Sequence, residues 1–550
     1  MVKKILAALL AAAMVFSLVA CTSSPASTEA AKTDAATEAA KTEAPATEAA
    51  KTEAPAETDA PAETTAPAET DAPAPAGEKV KITVFRCLYN RSAVDDAQVK
   101  KVQDAINARL DELGEAVEIE IHEIASSEYS DKITMALAGG EINLLWNASW
   151  WGGGIGCDDL WRTNAAYDIT DLLPGTLLYD AMPEGVWEAS KYDGKVLFTP
   201  VYKETYEGYD MKAPKLVVEK VGQDPEFPEV KAGKDWYERM AAFDGFLQKC
   251  KDNGIAYPYM ACQFFYRIAL DDYDFFGGSS SLLAVDRKTD TVVNAVDTEG
   301  FRKWAHLMRD WYEKGYINDA ILDKSTPQGL NKTQDWGLQF WTNVPGDSLK
   351  NSETRDEQEE VMIEGITGWW THSTTTLGSC FTVTSNCTEA QAKACVAFMG
   401  RLYTDQKIAD LYTYGIEGED YNIVDGVVVV NNDGTYCHSA WESTSVVPLT
   451  LMKDEPADKV QSYVDHNNAA ETSCAAGFRF DKSAVEAEWT ACQDLNSKYG
   501  EPLELGSPVI NDIEDVDAII DAYLAELETV GYQKVLDEAT RQYEEWKKNK

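Results

Sequence analysis

The stretch Ala138–Gly156 reads AGGEINLLWNASWWGGGIG, and it decides how the surrounding chain is interpreted. A helix-like segment stops at its two adjacent glycines, and the apolar run Ile142–Trp146 that follows predicts a buried strand of a parallel sheet. Ligands of open α/β sheets bind beyond the carboxyl ends of such strands. The polar and aromatic residues after the run are therefore candidates for a ligand site: Asn147, Trp150 and Trp151. The alternative is that both tryptophans are core residues and the glycines only turn the chain.

Two earlier strand and helix patterns place this stretch in a regular order. Val80–Phe85 and Val117–Ile124 predict strands, and Asp95–Leu113 carries apolar residues at the spacing of one helix face. A second helix is predicted from Ser126 to the two glycines. Strand, helix, strand, helix, strand is typical of a parallel sheet covered by helices, so Ile142–Trp146 is expected to be its third strand.

The N-terminus has the pattern of an export signal. Lys3 and Lys4 precede an apolar run, Ile5–Val19, that is too short to span a membrane comfortably. The tetrapeptide Leu18-Val19-Ala20-Cys21 resembles the lipobox of bacterial lipoproteins, in which the cysteine is acylated. We expect residues 1–20 to be a signal peptide and Cys21 to carry a lipid anchor. The alternative is an ordinary secretory signal with an incidental cysteine.

Residues 21–78 predict a disordered tether. They consist almost wholly of Ala, Thr, Glu, Pro, Asp and Lys, with a recurring TEAAK unit and no aromatic residue. Such a segment cannot bury enough apolar surface to offset the entropy of ordering. A lipid at one end and a long tether ahead of the folded part predict a protein held near a membrane surface.

Charge and size limit the classes of function. The 550-residue chain has a formal net charge of −44 at pH 7, which makes nucleic acid and other polyanions poor partners. The part after residue 78 is too long for one single-core domain, so at least two lobes are expected.

Cysteine and histidine patterns indicate no metal site. The chain has 11 cysteines and 5 histidines, with no CxxC, HExxH or HxxxH spacing. We therefore predict no metal and no cofactor. One or two disulfides are compatible with an extracellular chain, but a core of this size does not require them.

Longer motifs resemble a known family. NAAYDITDLLPG at Asn164–Gly175 is followed by MPEGVWEASKYDGKVLFTPVYKE at Met182–Glu204, and GIEG at Gly415–Gly418 precedes Tyr421. Their order is similar to that of extracellular solute-binding proteins of bacterial ABC importers, of the family 1 or oligosaccharide-binding type. From Gly477 onward the chain resembles the C-terminal domain of unknown function carried by the LipO-like branch.

The resemblance implies an α/β fold of two lobes, of the periplasmic-binding-protein type (class II), with hinge crossings between the lobes. It places the first lobe at residues 79–199, with a return segment at about 370–390. The second lobe and the C-terminal region are then residues 200–369 and about 391–550. The strand Val196–Val201 is expected to cross between lobes, so that Pro200–Glu204 forms a hinge and the floor of the cleft.

The residues expected to bind ligand follow strands or lie at the crossings. Flat aromatic faces stack on sugar rings, and amides and carboxylates accept hydrogen bonds from hydroxyls. Only one of the neighbours Trp150 and Trp151 is expected to face the ligand, and the sequence does not decide which. The predicted ligand-binding residues are Tyr89, Asn90, Asn147, Trp150, Trp151, Tyr202, Trp369, Trp370 and Trp441.

These observations together predict a lipid-anchored extracellular protein that captures an oligosaccharide or another small solute and delivers it to ABC transporter permease subunits. We expect a monomer on the outer face of the cell membrane, with no enzymatic activity and no nucleic-acid partner. The alternatives are a surface glycan hydrolase and a peptide-binding receptor lipoprotein. A glycosidase needs two carboxylates that face each other across a cleft, and the 93 acidic residues of the chain single out no such pair. Other enzyme motifs are also missing: no GxSxG or P-loop occurs, and GGGIG lacks the spacing of a dinucleotide fingerprint.

Overall fold

Two large hydrophobic cores, each built around its own β-sheet, organise the described residues, and a third, small cluster surrounds Tyr414 and Val428. The structure is a computed structural model. It describes residues 79–89, 94–151, 154–261, 265–277, 281–323, 335–342, 359–372, 374–431, 436–453 and 455–550. The predicted signal peptide, Cys21 and the predicted tether lie outside the described residues.

The strands, in chain order, are β1 (Val80–Leu88), β2 (Val117–Ala125), β3 (Leu144–Asn147), β4 (Thr199–Pro200), β5 (Tyr209–Pro214), β6 (Tyr257–Met260), β7 (Tyr273–Phe275), β8 (Leu283–Asp286), β9 (Thr291–Asn294), β10 (Trp336–Thr342), β11 (Glu360–Ile363), β12 (Trp370–Thr371), β13 (Cys380–Val383), β14 (Tyr421–Val424), β15 (Val427–Val430) and β16 (Glu471–Thr472).

The α-helices are Asp96–Glu112, Ser126–Gly139, Cys157–Arg162, Leu177–Asp180, Glu184–Ala189, Lys215–Lys220, Pro228–Lys231, Trp236–Ala241, Asp244–Asp252, Phe265–Ile268, Glu299–Glu313, Asp319–Leu322, Glu389–Leu402, Gln406–Tyr414, Lys459–Ala469, Glu486–Leu495, Glu501–Glu504, Val516–Thr529 and Tyr532–Asn549.

The first lobe contains the sheet predicted from the sequence. Its strand order is β2-β1-β3-β13-β4, with β1 parallel to both β2 and β3. Asp95 caps the helix between β1 and β2 by accepting from the backbone N–H groups of Ala97 and Gln98. Gly140, at φ 71°, ends the helix before β3 in the left-handed conformation that glycine adopts readily. The strand, helix, strand, helix, strand prediction is confirmed.

The second lobe is built on a four-stranded sheet of order β11-β5-β10-β6. The long helix Glu299–Glu313 buries one face against this lobe, and the C-terminal helices from Glu486 onward pack into the same core. A separate three-stranded antiparallel sheet, β7-β8-β9, contacts the last helix through β9.

The described chain crosses between the lobes at three places. β4 belongs to the first sheet and β5 to the second, so one crossing follows Pro200. A second crossing joins β11 to β13, which pairs antiparallel with β3 and with β4. A third lies between Val446, which bonds to Tyr202 through its backbone, and Ala475 in the second core.

The structure differs from the predicted boundary at about residue 391. The helices Glu389–Leu402 and Gln406–Tyr414 pack in the first core rather than the second. These helices pack in the first core because β13 belongs to the first sheet. The helix that follows β13 returns onto the same sheet and contacts β1 and β2. The first lobe therefore includes residues from about 380 to about 446.

Candidate functional site

Aromatic side chains from three separate segments meet at the carboxyl edge of the first sheet. Tyr89 follows β1, while Trp150 and Trp151 follow β3, and the parallel pairing of β1 with β3 brings these two ends together. The ring of Tyr89 lies edge-on to both indoles, with centroids 6.2 Å from Trp150 and 6.1 Å from Trp151. This geometry is the preferred one for neighbouring aromatic rings.

Trp441 completes this group from a distant part of the sequence. Its ring centroid lies 5.2 Å from that of Tyr89 and 6.4 Å from that of Trp150. It is carried on a short 3-10 turn, Ala440–Glu442, that begins with a capping box between Ser439 and Glu442. We call Tyr89, Trp150, Trp151 and Trp441 the first aromatic cluster.

The two neighbouring tryptophans have different environments. Trp151 is half-buried, donates from Nε1 to Ser130 Oγ at 2.8 Å, and packs against Tyr129 and the buried Trp146. Trp150 stacks on Trp151 with centroids 5.3 Å apart and is 39% exposed. Trp150 is therefore the member of the pair that presents the larger aromatic surface to solvent.

A second group of rings lies on the segments that cross between the lobes. Trp369 contacts the ring of His466 at 4.2 Å and that of Tyr206 at 5.6 Å, and the Tyr206 hydroxyl lies 3.1 Å from His466 Nδ1. We call Tyr206, Trp369 and His466 the second aromatic cluster. Burial lowers the pKa of His466, which favours its neutral form.

The second cluster includes two residues that sequence reasoning missed. Tyr206 lies two residues after the motif Met182–Glu204, which is the sequence signal nearest to it. His466 lies on the helix Lys459–Ala469, 260 positions from Tyr206 in sequence. No local pattern marks such a residue, because its contact depends on the third crossing.

Other side chains of the protein contact Trp370 at its indole N–H and on one face of its ring. Its Nε1 donates to Asp271 Oδ1 at 3.2 Å, and the guanidinium of Arg287 lies 3.8 Å from the centre of its ring. The cation occupies one aromatic face, as is common for arginine. Its backbone pairs with Glu207 and Glu471, so Trp370 joins two crossing segments.

Two of the residues that were predicted to bind ligand are buried. Asn147 has no exposed surface: its Oδ1 accepts from Thr382 Oγ1 at 2.7 Å and from Cys380 Sγ at 3.2 Å. The antiparallel pairing of β13 with β3 covers this amide, so the prediction that Asn147 faces the ligand is wrong. Tyr202 also lies in the first core, and its carbonyl accepts from Val446 N. Asn90 lies outside the described residues.

Charged side chains cluster beside Trp370. The Nε2 atom of His372 is 2.5 Å from Glu207 Oε2, and its Nδ1 atom is 3.8 Å from Asp274 Oδ1. Burial tends to raise the pKa of Glu207, yet the charge and hydrogen bond of His372 lower it below its usual value. Glu207 is therefore held as a carboxylate, which is an acceptor for hydroxyl groups.

The cysteines and the possible metal ligands of the described residues were compared with the sequence expectations. Within the described residues, Cys157 and Cys380 are thiols whose sulfurs lie 3.5 Å apart. The same part of the chain contains no group of His, Cys, Asp or Glu side chains arranged to hold a metal ion. None of its helices is both long and apolar enough to cross a membrane.

Residues 474–548 match the family model described as "Domain of unknown function (DUF3502)". A curated relative, the "Carbohydrate ABC transporter substrate-binding protein" of Streptococcus pneumoniae serotype 4 (strain ATCC BAA-334 / TIGR4), is 22% identical over 400 residues. That match covers 71% of this chain and 77% of the relative.

Solved structures share the fold. The N-glycan transport solute-binding protein NgtS from Streptococcus pneumoniae matches with a TM-score of 0.70 at 19% identity, covering 86% of this chain and 100% of that one. The same protein in complex with Man5GlcNAc matches with a TM-score of 0.61 at 19% identity, covering 86% of this chain and 99% of that one. The two-lobe α/β fold, and the resemblance to solute-binding proteins with a DUF3502 domain, are confirmed.

Proposed function

We propose that this chain is the substrate-binding protein of an ABC importer and that its ligand is an oligosaccharide. The observation that carries the proposal is the first aromatic cluster, in which an exposed Trp150 is braced by Tyr89, Trp151 and Trp441 at the carboxyl edge of parallel strands. This edge is where open α/β sheets bind their ligands.

The chemistry of the cluster suits a sugar. The C–H face of a pyranose ring is apolar and flat, so it packs on an exposed indole, while its hydroxyl groups need hydrogen-bond acceptors. The second aromatic cluster offers another aromatic surface, and Glu207, whose backbone pairs with that of Trp370, supplies a carboxylate. Two separated aromatic surfaces favour an extended ligand of several sugar units over a monosaccharide.

The relatives support the same ligand class. The curated relative is named a carbohydrate-binding component, and NgtS has been solved with Man5GlcNAc. Glycans built from mannose and N-acetylglucosamine are therefore the first candidates to test. The strongly acidic chain makes a neutral glycan a better match than a polyanionic one.

The protein is a binding component and not an enzyme. Its relatives are solute-binding proteins, and the role that follows is capture and delivery. Three crossings between two lobes provide a hinge, and ligand that contacts both lobes favours the closed form. Permease subunits then recognise the closed form, and ATP is consumed by other subunits of the transporter.

The N-terminal sequence adds a location to this role. We infer that residues 1–20 direct export, that Cys21 is acylated, and that residues 21–78 tether a monomeric binding protein to the outer face of the membrane. A tether lets the folded part meet solutes and still return to the permease. Mass spectrometry of the protein purified from membranes tests this inference by detecting the acylated N-terminal cysteine.

Calorimetric titration with Man5GlcNAc and a panel of neutral oligosaccharides tests the proposed function. We expect saturable binding by the wild type and a large loss of affinity in Trp150→Ala. Tyr237→Ala removes a half-buried aromatic residue of the second lobe and serves as the matched control. Absence of binding across the panel contradicts the proposal, and so does release of shortened glycans on incubation, since that requires catalysis.

A further inference from the structure

The C-terminal domain, residues 474–548, touches the first lobe although its own core belongs to the second. The guanidinium of Arg479 lies 4.3 Å from the centre of the Tyr192 ring, and Tyr192 is a buried member of the first core. A second contact joins Arg162 Nη1 to Glu486 Oε2 at 3.4 Å. Any movement of the lobes must therefore change the surroundings of Arg479.

Arg479 projects from a rigid base. Its neighbours Phe478 and Phe480 are both buried in the second core, and Phe478 packs edge-on against Tyr543 at 5.0 Å. Asp481 exchanges two hydrogen bonds with Gln542 on the last helix, at 2.9 and 2.7 Å. The position of the guanidinium is thus set by the C-terminal domain.

Some of the N–H donors of the Arg479 guanidinium have no hydrogen-bond acceptor among the described residues. Nη1 donates to the carbonyl of Phe478 at 3.0 Å, while Nε and Nη2 are buried without a hydrogen-bond partner among the described residues. The nearby acid is Asp158, which accepts from the Tyr192 hydroxyl at 2.9 Å. Burial raises the pKa of Asp158, and the charge of Arg479 is the largest influence opposing that rise.

A half-buried guanidinium whose buried N–H groups lack acceptors is less stable than a hydrated one. Separation of the two contacting surfaces would rehydrate Arg479, whereas tighter approach would bring its free donors toward Asp158. The contact between Arg479, Tyr192 and Asp158, which we call the latch, is therefore sensitive to small changes in the distance between its two sides.

The latch lies directly behind the ligand site. Asp158 belongs to the helix Cys157–Arg162, whose N-cap is Gly156. A Cβ atom at Gly156 would lie 2.3 Å from the carbonyl oxygen of Trp151, so the helix N-terminus packs against the backbone that carries the two tryptophans. Because Gly156 and Trp151 are in close backbone contact, a shift of this helix is expected to displace Trp151.

We propose that Arg479 is a positioning residue, which holds the C-terminal domain against the helix Cys157–Arg162 and thereby keeps Trp150 and Trp151 in their ligand-binding arrangement. This role rests on the proposed function, because it assigns to the C-terminal domain control over the affinity of the sugar site. Arg479 acts through the helix and contacts no ligand.

Hydrogen–deuterium exchange and calorimetry on Arg479→Ala test the latch. Without ligand, we expect amides within residues 148–162 to exchange faster than in the wild type, while those of β1 keep their protection. Affinity for Man5GlcNAc should fall roughly 5- to 150-fold, the usual range of coupling between sites. Arg541→Ala is the matched control, since Arg541 pairs only with Glu538 and Glu545 on its own exposed helix surface in the described structure.

Further variants separate positioning from folding. Arg479→Lys keeps the cation but loses the planar stack on Tyr192, so this variant should retain part of the affinity. It replaces Arg479→Ala in the test if the alanine variant does not fold. Asp158→Asn should weaken binding as well, and the double variant Arg479→Ala/Asp158→Asn should be no weaker than the worse single variant. Independent, multiplying losses would overturn the link between the two residues.

The outcomes distinguish the two proposals. If the wild type binds no oligosaccharide, the proposed function fails, and the exchange of residues 148–162 alone decides the positioning role. If Arg479→Ala leaves that exchange unchanged, the latch is refuted even when the wild type binds glycan. Faster exchange with unaltered affinity also overturns the proposal, because the contact would then serve only the packing of the lobes.

Discussion

The indole Nε1 of Trp150 donates to the carbonyl oxygen of Gly378 at 2.6 Å, while 39% of the tryptophan surface remains exposed. Gly378 lies just before β13, on the crossing that returns to the first lobe. The exposed ring is thus fixed by the protein at one edge and by stacking on Trp151 at one face. A ring that is oriented in advance loses little conformational entropy when a ligand packs on it.

We expect Trp150→Ala to weaken oligosaccharide binding by about 1 to 3 kcal/mol, because an aromatic contact at the centre of a site is lost. Trp146→Ala is the contrasting variant: that ring is fully buried, and its removal should cost about 3 to 5 kcal/mol of unfolding free energy. Calorimetry and urea denaturation measure the two effects. A large stability loss with unchanged affinity in Trp150→Ala would assign this ring to the core.

Gly208→Ala should weaken binding through Trp369. A Cβ atom at Gly208 would lie 2.5 Å from Trp369 Cδ1, so the indole must shift away from the second aromatic cluster. Affinity for Man5GlcNAc should fall by about 1 kcal/mol or more, as for other losses at contact residues. Gly245→Ala, on a second-lobe helix where a new Cβ meets nothing, is the control and should leave affinity as it is. Unchanged binding in Gly208→Ala would remove Trp369 from the site.

The buried carboxyl group of Glu504 predicts a pH dependence of stability. Burial raises its pKa to about 7, although Ser281 Oγ and Phe265 N donate to it. Because the folded-state pKa lies above the unfolded one, this group favours folding least at high pH. The contribution of Glu504 to the free energy of unfolding is largest below about pH 4.5. It decreases by about 3 kcal/mol in total as the pH rises through 7.

Glu504→Gln imitates the protonated carboxyl group, so this variant should be more stable than the wild type at pH 8 and similar to it at pH 5. Urea denaturation across this range measures the difference. Glu184→Gln alters an exposed acid of the first lobe, remote from Glu504, and should leave the difference in stability between pH 5 and pH 8 unchanged. Equal stability of Glu504→Gln and the wild type at pH 8 would contradict a raised pKa.

Arg86 predicts a large stability effect next to the site. The guanidinium is 1% exposed and donates to the Tyr412 carbonyl, the Tyr436 hydroxyl and Ser443 Oγ. It also faces the buried Glu123, which lies 2.6 Å from His438 Nε2. Arg86→Met should cost about 3 to 5 kcal/mol of unfolding free energy, because removing one partner leaves buried acids without their cation.

Arg86→Lys should restore little of that stability, since an ammonium group cannot reach three acceptors in a planar fork. Urea denaturation at pH 7 compares the variants, with Arg541→Ala as an exposed-arginine control. Wild-type stability in Arg86→Met would show that the buried ion pairs contribute no net stabilisation.

Local patterns in the sequence were sufficient to predict the first sheet. Alternating and continuous apolar runs identified β1, β2 and β3, since the burial of a strand depends mainly on its own side chains. The order of longer motifs indicated two lobes and the C-terminal domain. The aromatic pair after β3 was also recognised from its place at a strand end beside glycines.

The sequence by itself determined the order of the elements and the aromatic character of the candidate site; only the tertiary structure decided which of its residues are exposed and which are buried. Asn147 is buried because β13, from far along the chain, pairs with β3 and places Cys380 opposite it. Trp150 is exposed and Trp151 is half-buried because Tyr129 and Trp146 already occupy the space behind Trp151. His466 and Arg479 acquire their partners only through the third crossing. Contacts of this kind depend on register and on the return path of the chain, and neither leaves a periodic signal in the sequence.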